Sequence, residues 1–338
     1  MTATKSIQTC RMRFILLAGI AALLCMTAPA MAATIVVPDN YSSVQDAINA
    51  ASPGDTVLIR DGTYTLASTI TVQTPNLTIK GEDHGSVIFE QGAQSEFQLW
   101  SAASRTHLEN ITFKKITLTV DSSYNAIANN TFINPTYDTG CLAVGSSSTF
   151  NIFRDNIVTG ATGALAGMTI MGHSHLIENN TIRNGTAGGF LIAGANNTII
   201  KNSFINNTNA GIATYSDGFD VENNRIYLNT ITGNGAAATT MGTTPPTMIS
   251  WVSPEAIAYT YNGTSYSGVM GNYWGSDYTG ADADADGIGD TLYALPEGLG
   301  SDTAPLMAPF SEYFGGSEPV LTTIEVSPAT ANVAVGGT

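Results

Sequence analysis

Six segments in the middle of the chain share one formula: an apolar residue, two residues, asparagine, one residue, an apolar residue. They are IANNTF (127–132), FRDNIV (153–158), IENNTI (177–182), IIKNSF (199–204), VENNRI (221–226) and VMGNYW (269–274). The shared asparagines are Asn130, Asn156, Asn180, Asn202, Asn224 and Asn272, at spacings of 26, 24, 22, 22 and 48 residues, the last about two periods. A period of this length, made of short apolar runs without a helical rhythm, predicts coils of strand and turn stacked on one another. The fold class is therefore all-β, a parallel β-solenoid whose rungs lie about 4.8 Å apart. The apolar flanks, such as Ile127, Phe153, Ile177, Ile199, Val221 and Val269, are expected to stack inward. The asparagine is expected at a tight bend, where it tolerates left-handed backbone and can bond its counterpart in the next rung. The same pattern creates glycosylation sequons at Asn129, Asn179, Asn196 and Asn206, which bend and strand preferences already explain. Variants of the rung, NLTIKG (76–81) and ENITFKKI (109–116), extend the solenoid back to near Thr56, and it runs on to near Trp274.

A solenoid has open ends that must be covered. At the N-terminal end, SSVQDAINAA (42–51) reads as a short capping helix, with Ser43 as N-cap, Asp46 three residues on, and Val44, Ala47, Ile48 and Ala51 on one face. At the other end Tyr259, Tyr261, Tyr266, Tyr273, Trp274 and Tyr278 are expected to plug the core. These end segments, VVPDNYSSVQDAINAASPGDTVLIRDGTY (36–64) and YTYNGTSYSGVMGNYWGSDYTGADADADGIGD (259–290), together with the asparagine repeat, resemble the right-handed parallel β-helix proteins of the NosD-like family over roughly residues 35–310. That resemblance implies a pectin lyase-like architecture, kinship with carbohydrate-binding and sugar-hydrolysing β-helices, and occurrence in surface proteins of prokaryotes. It also links the family to copper delivery.

The first 32 residues read as a secretory signal: Lys5, Arg11 and Arg13, then the 13-residue apolar run FILLAGIAALLCM, then small residues ending at Ala32. That run is too short to span a bilayer, so no transmembrane segment is expected once the signal is removed. Cys10 and Cys25 leave with it, and Cys141 alone cannot form an internal disulfide. Stability must then come from the core, a metal or the repeat itself. The chain carries a net charge of −15 and no Lys or Arg after Arg225, which excludes nucleic acid as a partner. The expected organisation is a signal over 1–32, the capped β-helix over 34–275, a C-terminal cap over 276–316, and the truncated start of an immunoglobulin-like domain over 317–338. Eighteen residues of that last pattern (321–338) cannot make a sandwich of about 100, so further domains in a longer chain are expected.

Three constellations could carry chemistry. DADADGIGD (282–290) begins as a calcium loop begins, with Asp282, Asp284 and Asp286 at alternate positions, Gly287 at the turn, a carbonyl from Ile288, and Asp290. Position 12 is Tyr293 where a switch-type hand needs a bidentate Glu, so a structural calcium is expected, completed by Asp277, Asp302 or water. MTIMGHSH (168–175) offers Met171, His173 and His175 as a soft set for copper, but filling the core with Met and placing the histidines in an exposed turn accounts for it better. Asp217 and Asp220 are the candidate catalytic pair for a polysaccharide lyase or glycoside hydrolase, without the third carboxylate such groups usually bring. Arg154 and Glu178 stand at equivalent places in adjacent rungs and read as a ladder ion pair. The reading that fits best is an exported, non-catalytic β-helix module of the cell surface, structural or adhesive, binding carbohydrate or another surface polymer. A polysaccharide-cleaving enzyme and a copper-binding accessory protein are the alternatives.

Overall fold

A computed structural model of the chain describes residues 31–92, 95–134, 141–162, 166–243, 246 and 248–314. The signal and the immunoglobulin-like start, as predicted, fall almost wholly outside these residues. Within them the chain winds into a parallel β-helix of three sheets. The first sheet has nine strands, from Thr34–Val37 to Arg225–Tyr227; the second has eight, from Gly62–Leu66 to Thr230–Thr232; the third has eight, from Ile70–Val72 to Ala236–Thr240. The ladder thus starts one rung before Thr56, because Thr34–Val37 pairs in parallel with Thr56–Ile59.

Most strands are only three residues long, so each side of a rung points one or two side chains inward. In the first sheet Val57, Ile79, Leu108, Ile127, Phe153, Ile177, Ile199 and Ile226 stack in register and are fully buried. In the second, Phe89, Phe113 and Phe132 run into Val158, Ile182, Phe204 and Ile231, and the Phe113 and Phe132 rings stack at 5.0 Å. The β-branched and aromatic residues chosen here suit a pleated, buried surface. Val269, an expected inward flank, is 40% exposed, and Met270 is buried in its stead.

The N-terminal end is closed by the helix Val44–Ala50, with Ser43 Oγ accepting from the Asp46 N–H at 3.3 Å. Val44, Ala47 and Ile48 bury against the core. Gln45 does something the sequence pattern did not foretell: its Oε1 accepts from Thr71 N–H (2.7 Å) and its Nε2 donates to Thr71 O (3.0 Å). The amide thereby takes the place of a neighbouring strand on the outermost strand of the third sheet. At the far end the antiparallel hairpin Ile257–Tyr261 and Thr264–Gly268 folds over the last rung. Trp251 and Trp274 lie 5.7 Å apart in the main core, while Tyr259, Met270, Phe310 and Tyr313 form a second cluster.

Candidate functional site

The bends carry most of the buried polar chemistry. Between the first and second sheets, a left-handed residue (Asn129, Asp155, Asn179, Lys201 or Leu228) is followed by an asparagine whose side chain turns inward. Left-handed geometry therefore falls to the residue before the repeated asparagine, not to that asparagine itself. Asn130, Asn156, Asn180, Asn202, Asn229 and Asn272 form one ladder, in which each Oδ1 from Asn156 onward accepts both the backbone N–H and the Nδ2–H of the asparagine one rung before, while Asn130 Oδ1 accepts from Ile111 N–H. Asn229, in IYLNTI (226–231), takes the place assigned above to Asn224. That hexapeptide satisfies the same formula, so the signal was present.

Asn224 belongs to a second ladder, at the bend between the third and first sheets. Asn125, Asn151, His175, Asn197 and Asn224 are linked there, each backbone N–H donating to the next side chain. His175 stands where the other rungs have asparagine. Its Nδ1 accepts from Asn151 N–H at 3.0 Å, and the residue is 2% exposed rather than in an exposed turn. Burial holds its imidazole neutral, pushed down to about 4. His173 Nδ1 likewise accepts from Ala195 N–H at 3.1 Å. Both Nδ1 lone pairs are thus committed to backbone, and His175 Nε2 is shut from solvent, so the Met171–His173–His175 set does not fit copper. Cys141 is a buried core residue, with its thiol pushed up by burial.

The first ladder needs a terminus, because Asn272 still has N–H groups to place. Asp302 supplies it: its Oδ2 accepts from Asn272 N–H (2.7 Å) and Trp274 Nε1–H (2.8 Å), and Oδ1 accepts from Ala304 N–H (3.0 Å). An acceptor-only group ends a chain of donors without creating another orphan. Asp302 is fully buried, and desolvation outweighs these bonds to push its carboxyl up to about 6. It therefore cannot complete the acidic loop.

In that loop Asp282, Asp284 and Asp286 each offer a carboxylate oxygen within 4.8 Å of the others. Backbone bonds hold them there: Asp286 N–H and Gly287 N–H donate to the two oxygens of Asp282 at 3.1 and 3.0 Å, and Ile288 N–H donates to Asp286 Oδ1 at 2.7 Å. Gly287, at φ +90°, makes the turn, and a Cβ there would strike Tyr261 and Tyr313. Asp290 stands outside the group of three, with its Oδ2 accepting from Ala283 N–H at 2.7 Å. Tyr259 beside Asp286 has its hydroxyl pushed up, by burial first and then by the aspartate.

Asp217 bridges to the next rung, while Asp220 bonds within its own loop. Asp217 Oδ1 accepts from Thr243 N–H and Oγ1–H, both at 2.8 Å, and Asp220 Oδ1 accepts from Glu222 N–H at 3.2 Å. Arg154 and Glu178 are register partners, but the ion pair that Arg154 shows is with its neighbour Asp155, Nε to Oδ2 at 3.9 Å, and not the expected ladder pair.

The outward face of the third sheet carries two features that no motif pointed to. Gln98 and Trp100 sit beside Thr119 and Asp121 of the next rung, with Glu96 at the strand's start. Trp100 Nε1 donates to Gln98 Oε1 (2.6 Å), Gln98 Nε2 to Glu96 Oε2 (2.8 Å), and Thr119 Oγ1 to the same Oε2 (3.4 Å). Further along, Thr169, Met171, Leu191, Ala193, Tyr215, Phe219 and Met241 line a groove of about 410 Å³. Only the three-residue alternation around Phe97 and Leu99 hinted that Gln98 and Trp100 would share a face.

A family model described as periplasmic copper-binding protein (NosD) matches residues 48–280. Among solved structures, the A-module of the Azotobacter vinelandii mannuronan C-5 epimerase AlgE4 is similar at TM-score 0.50 and 12% identity, over 62% of this chain and 71% of that one. The Agl-KA catalytic domain is similar at TM-score 0.50 and 16% identity, over 68% of this chain and 49% of that one, so this chain spans about half its length. Pectate lyase Pel9A is similar at TM-score 0.48 and 12% identity, over 72% and 74%. At such identities the likeness is one of fold. No curated protein matches the chain in sequence.

Proposed function

The chain belongs to the NosD family, and on that premise we propose that it works as an exported, non-catalytic β-helix module that binds a surface polysaccharide. The observation that carries this reading is where the acidic groups are employed. Among the described residues the one group of three metal-ligating side chains is Asp282, Asp284 and Asp286, in the C-terminal closure. Asp217 accepts from Thr243 of the next rung, and Asp220 from Glu222. Cleaving a glycosidic bond by paired carboxylates needs an acid and a base free to face the sugar. The fold offers long, regular outer faces instead, and it is shared with the A-module of a mannuronan C-5 epimerase. Screening the full chain against a polysaccharide panel, with and without calcium, should give binding without new reducing ends or unsaturated products. Release of such products would establish the enzyme alternative.

The acidic loop is proposed as a structural calcium site that stiffens the closure. Three carboxylates held together by backbone bonds repel one another, and a divalent cation relieves that repulsion. Asp284→Ala should abolish the rise in melting temperature that calcium gives to the parent chain. Equal melting of the parent in calcium and in chelator would sink the site. The segment 1–32 and the family's description support export, and no helix among the described residues is long and apolar enough to cross a membrane. Against copper at Met171, His173 and His175 stands the use of both histidine Nδ1 atoms as acceptors of backbone N–H. Stoichiometric Cu(I) binding that is lost in Met171→Leu would restore the copper reading.

A further inference from the structure

We infer that the outer face of the third sheet around Glu96, Gln98, Trp100, Thr119 and Asp121 is a subsite for amino sugars that rejects uronic acids. This rests on the carbohydrate-binding reading above and assigns it a place and a sugar class.

The direction of the hydrogen bonds is the first support. The indole N–H of Trp100 is given to Gln98, the Gln98 amide donates to Glu96, and the Thr119 hydroxyl donates to Glu96 as well. Each of these donor groups is directed into the patch, and the relay ends on a carboxylate. What remains to face a ligand is mainly acceptor, so the ligand must bring donors. Sugar hydroxyls can do so, and an ammonium does it with charge assistance. A uronate brings a second set of acceptors and a like charge.

The charge distribution points the same way. None of the eight strands of the third sheet contains Lys or Arg. The Asp121 carboxyl is pushed up by burial and then by the charge of Glu96. Asp121 also has its space reserved: a Cβ at Gly145, one rung on, would collide with Asp121 Oδ1.

Trp100 supplies the apolar half of the subsite. It is 48% exposed, yet its N–H bond to Gln98 fixes the ring. A tethered indole is a platform for a sugar face, and tryptophan is the best aromatic partner for a cation. In the following rung the same two rows hold only Ala143 and Gly145, so the floor drops. The groove lined by Met171, Tyr215, Phe219 and Met241 begins one rung later. A chain leaving the subsite along the solenoid axis meets a bare floor and then aromatic walls.

The test is calorimetric titration of the full chain, at low and raised salt, with hexamers of glucosamine, N-acetylglucosamine and galacturonic acid. The glucosamine hexamer should bind at least tenfold tighter than the galacturonate hexamer. Trp100→Ala should weaken it at least tenfold with an unchanged unfolding midpoint. The double variant Glu96→Gln, Asp121→Asn should erase the preference for glucosamine over its acetylated form, whereas Asp83→Asn, which removes an exposed charge elsewhere, should preserve it. Equal affinity for galacturonate, or binding indifferent to Trp100→Ala, overturns the subsite and leaves the carbohydrate reading standing. Absence of binding by every hexamer and every panel polysaccharide overturns both.

Discussion

Adjacent asparagines in this chain do opposite work. Asn179 turns the backbone with φ +53° and bonds Asp155 at the surface, while Asn180 is 2% exposed. Asn180 Oδ1 accepts twice from Asn156, and its Nδ2 donates to Asn202 Oδ1 and to the carbonyls of Phe153 and Glu178. Removing the buried amide orphans several groups that water cannot reach, and each such orphan costs about 1–3 kcal/mol. Asn180→Leu should therefore lose about 3 kcal/mol or more. Asn179→Gly keeps the left-handed turn and should change stability by less than about 1 kcal/mol. Urea midpoints of the two variants check the contrast, and equal losses would mean that the ladder adds nothing beyond the turn. His175 fills an asparagine place with a ring nitrogen as acceptor, which explains why alternation in MTIMGHSH suggested a ligand pair where the fold needed a rung contact.

At the scale of elements, the ends decide solubility. The third sheet begins with a strand whose outer backbone groups would template another chain, and Gln45 covers Thr71 with both halves of its amide. Gln45→Ala should cost about 1 kcal/mol in stability but raise light scattering on incubation much more clearly, because it uncovers an edge. Unchanged scattering would show that the helix alone shields the strand. The rungs were legible in the sequence because each apolar position obeys one rule, burial at a fixed phase. The partner of each bend was less legible, because two bends per rung carry asparagines five residues apart, as at Asn197 and Asn202 or Asn224 and Asn229, and in the latter pair both satisfy one formula. The acidic loop was visible through its spacing. The patch around Trp100 was not, because Glu96, Gln98 and Asp121 come together across rungs through register, and no motif encodes register in a short strand.

For the molecule as a whole, two buried ionisable groups tie stability to pH in opposite senses. Asp302 ends the first ladder at the C-terminal closure, and His175 sits within the second ladder near mid-solenoid. The Asp302 carboxyl is raised from 3.8 to about 6, so between these values the folded chain keeps a proton that the unfolded chain releases. Its contribution is full below pH 4 and is lost as pH rises through 6. The His175 imidazole is lowered from 6.5 to about 4, so the unfolded chain takes a proton that the folded chain refuses. Its contribution is full above pH 6.5 and is lost as pH falls through 4. Each shift corresponds to about 3 kcal/mol, and the two slopes oppose each other across nearly the same interval. Asp302→Asn should uncover the histidine, so that its stability, relative to the parent, rises from pH 4 to 6.5. His175→Asn, which restores the ladder's usual residue, should uncover the aspartate and fall over that range. The double variant should return to the parent's slope, because every other carboxylate contributes equally to all four proteins. Urea midpoints at half-unit pH steps measure these slopes directly, and parallel profiles for the two single variants would show that neither group titrates as its burial demands.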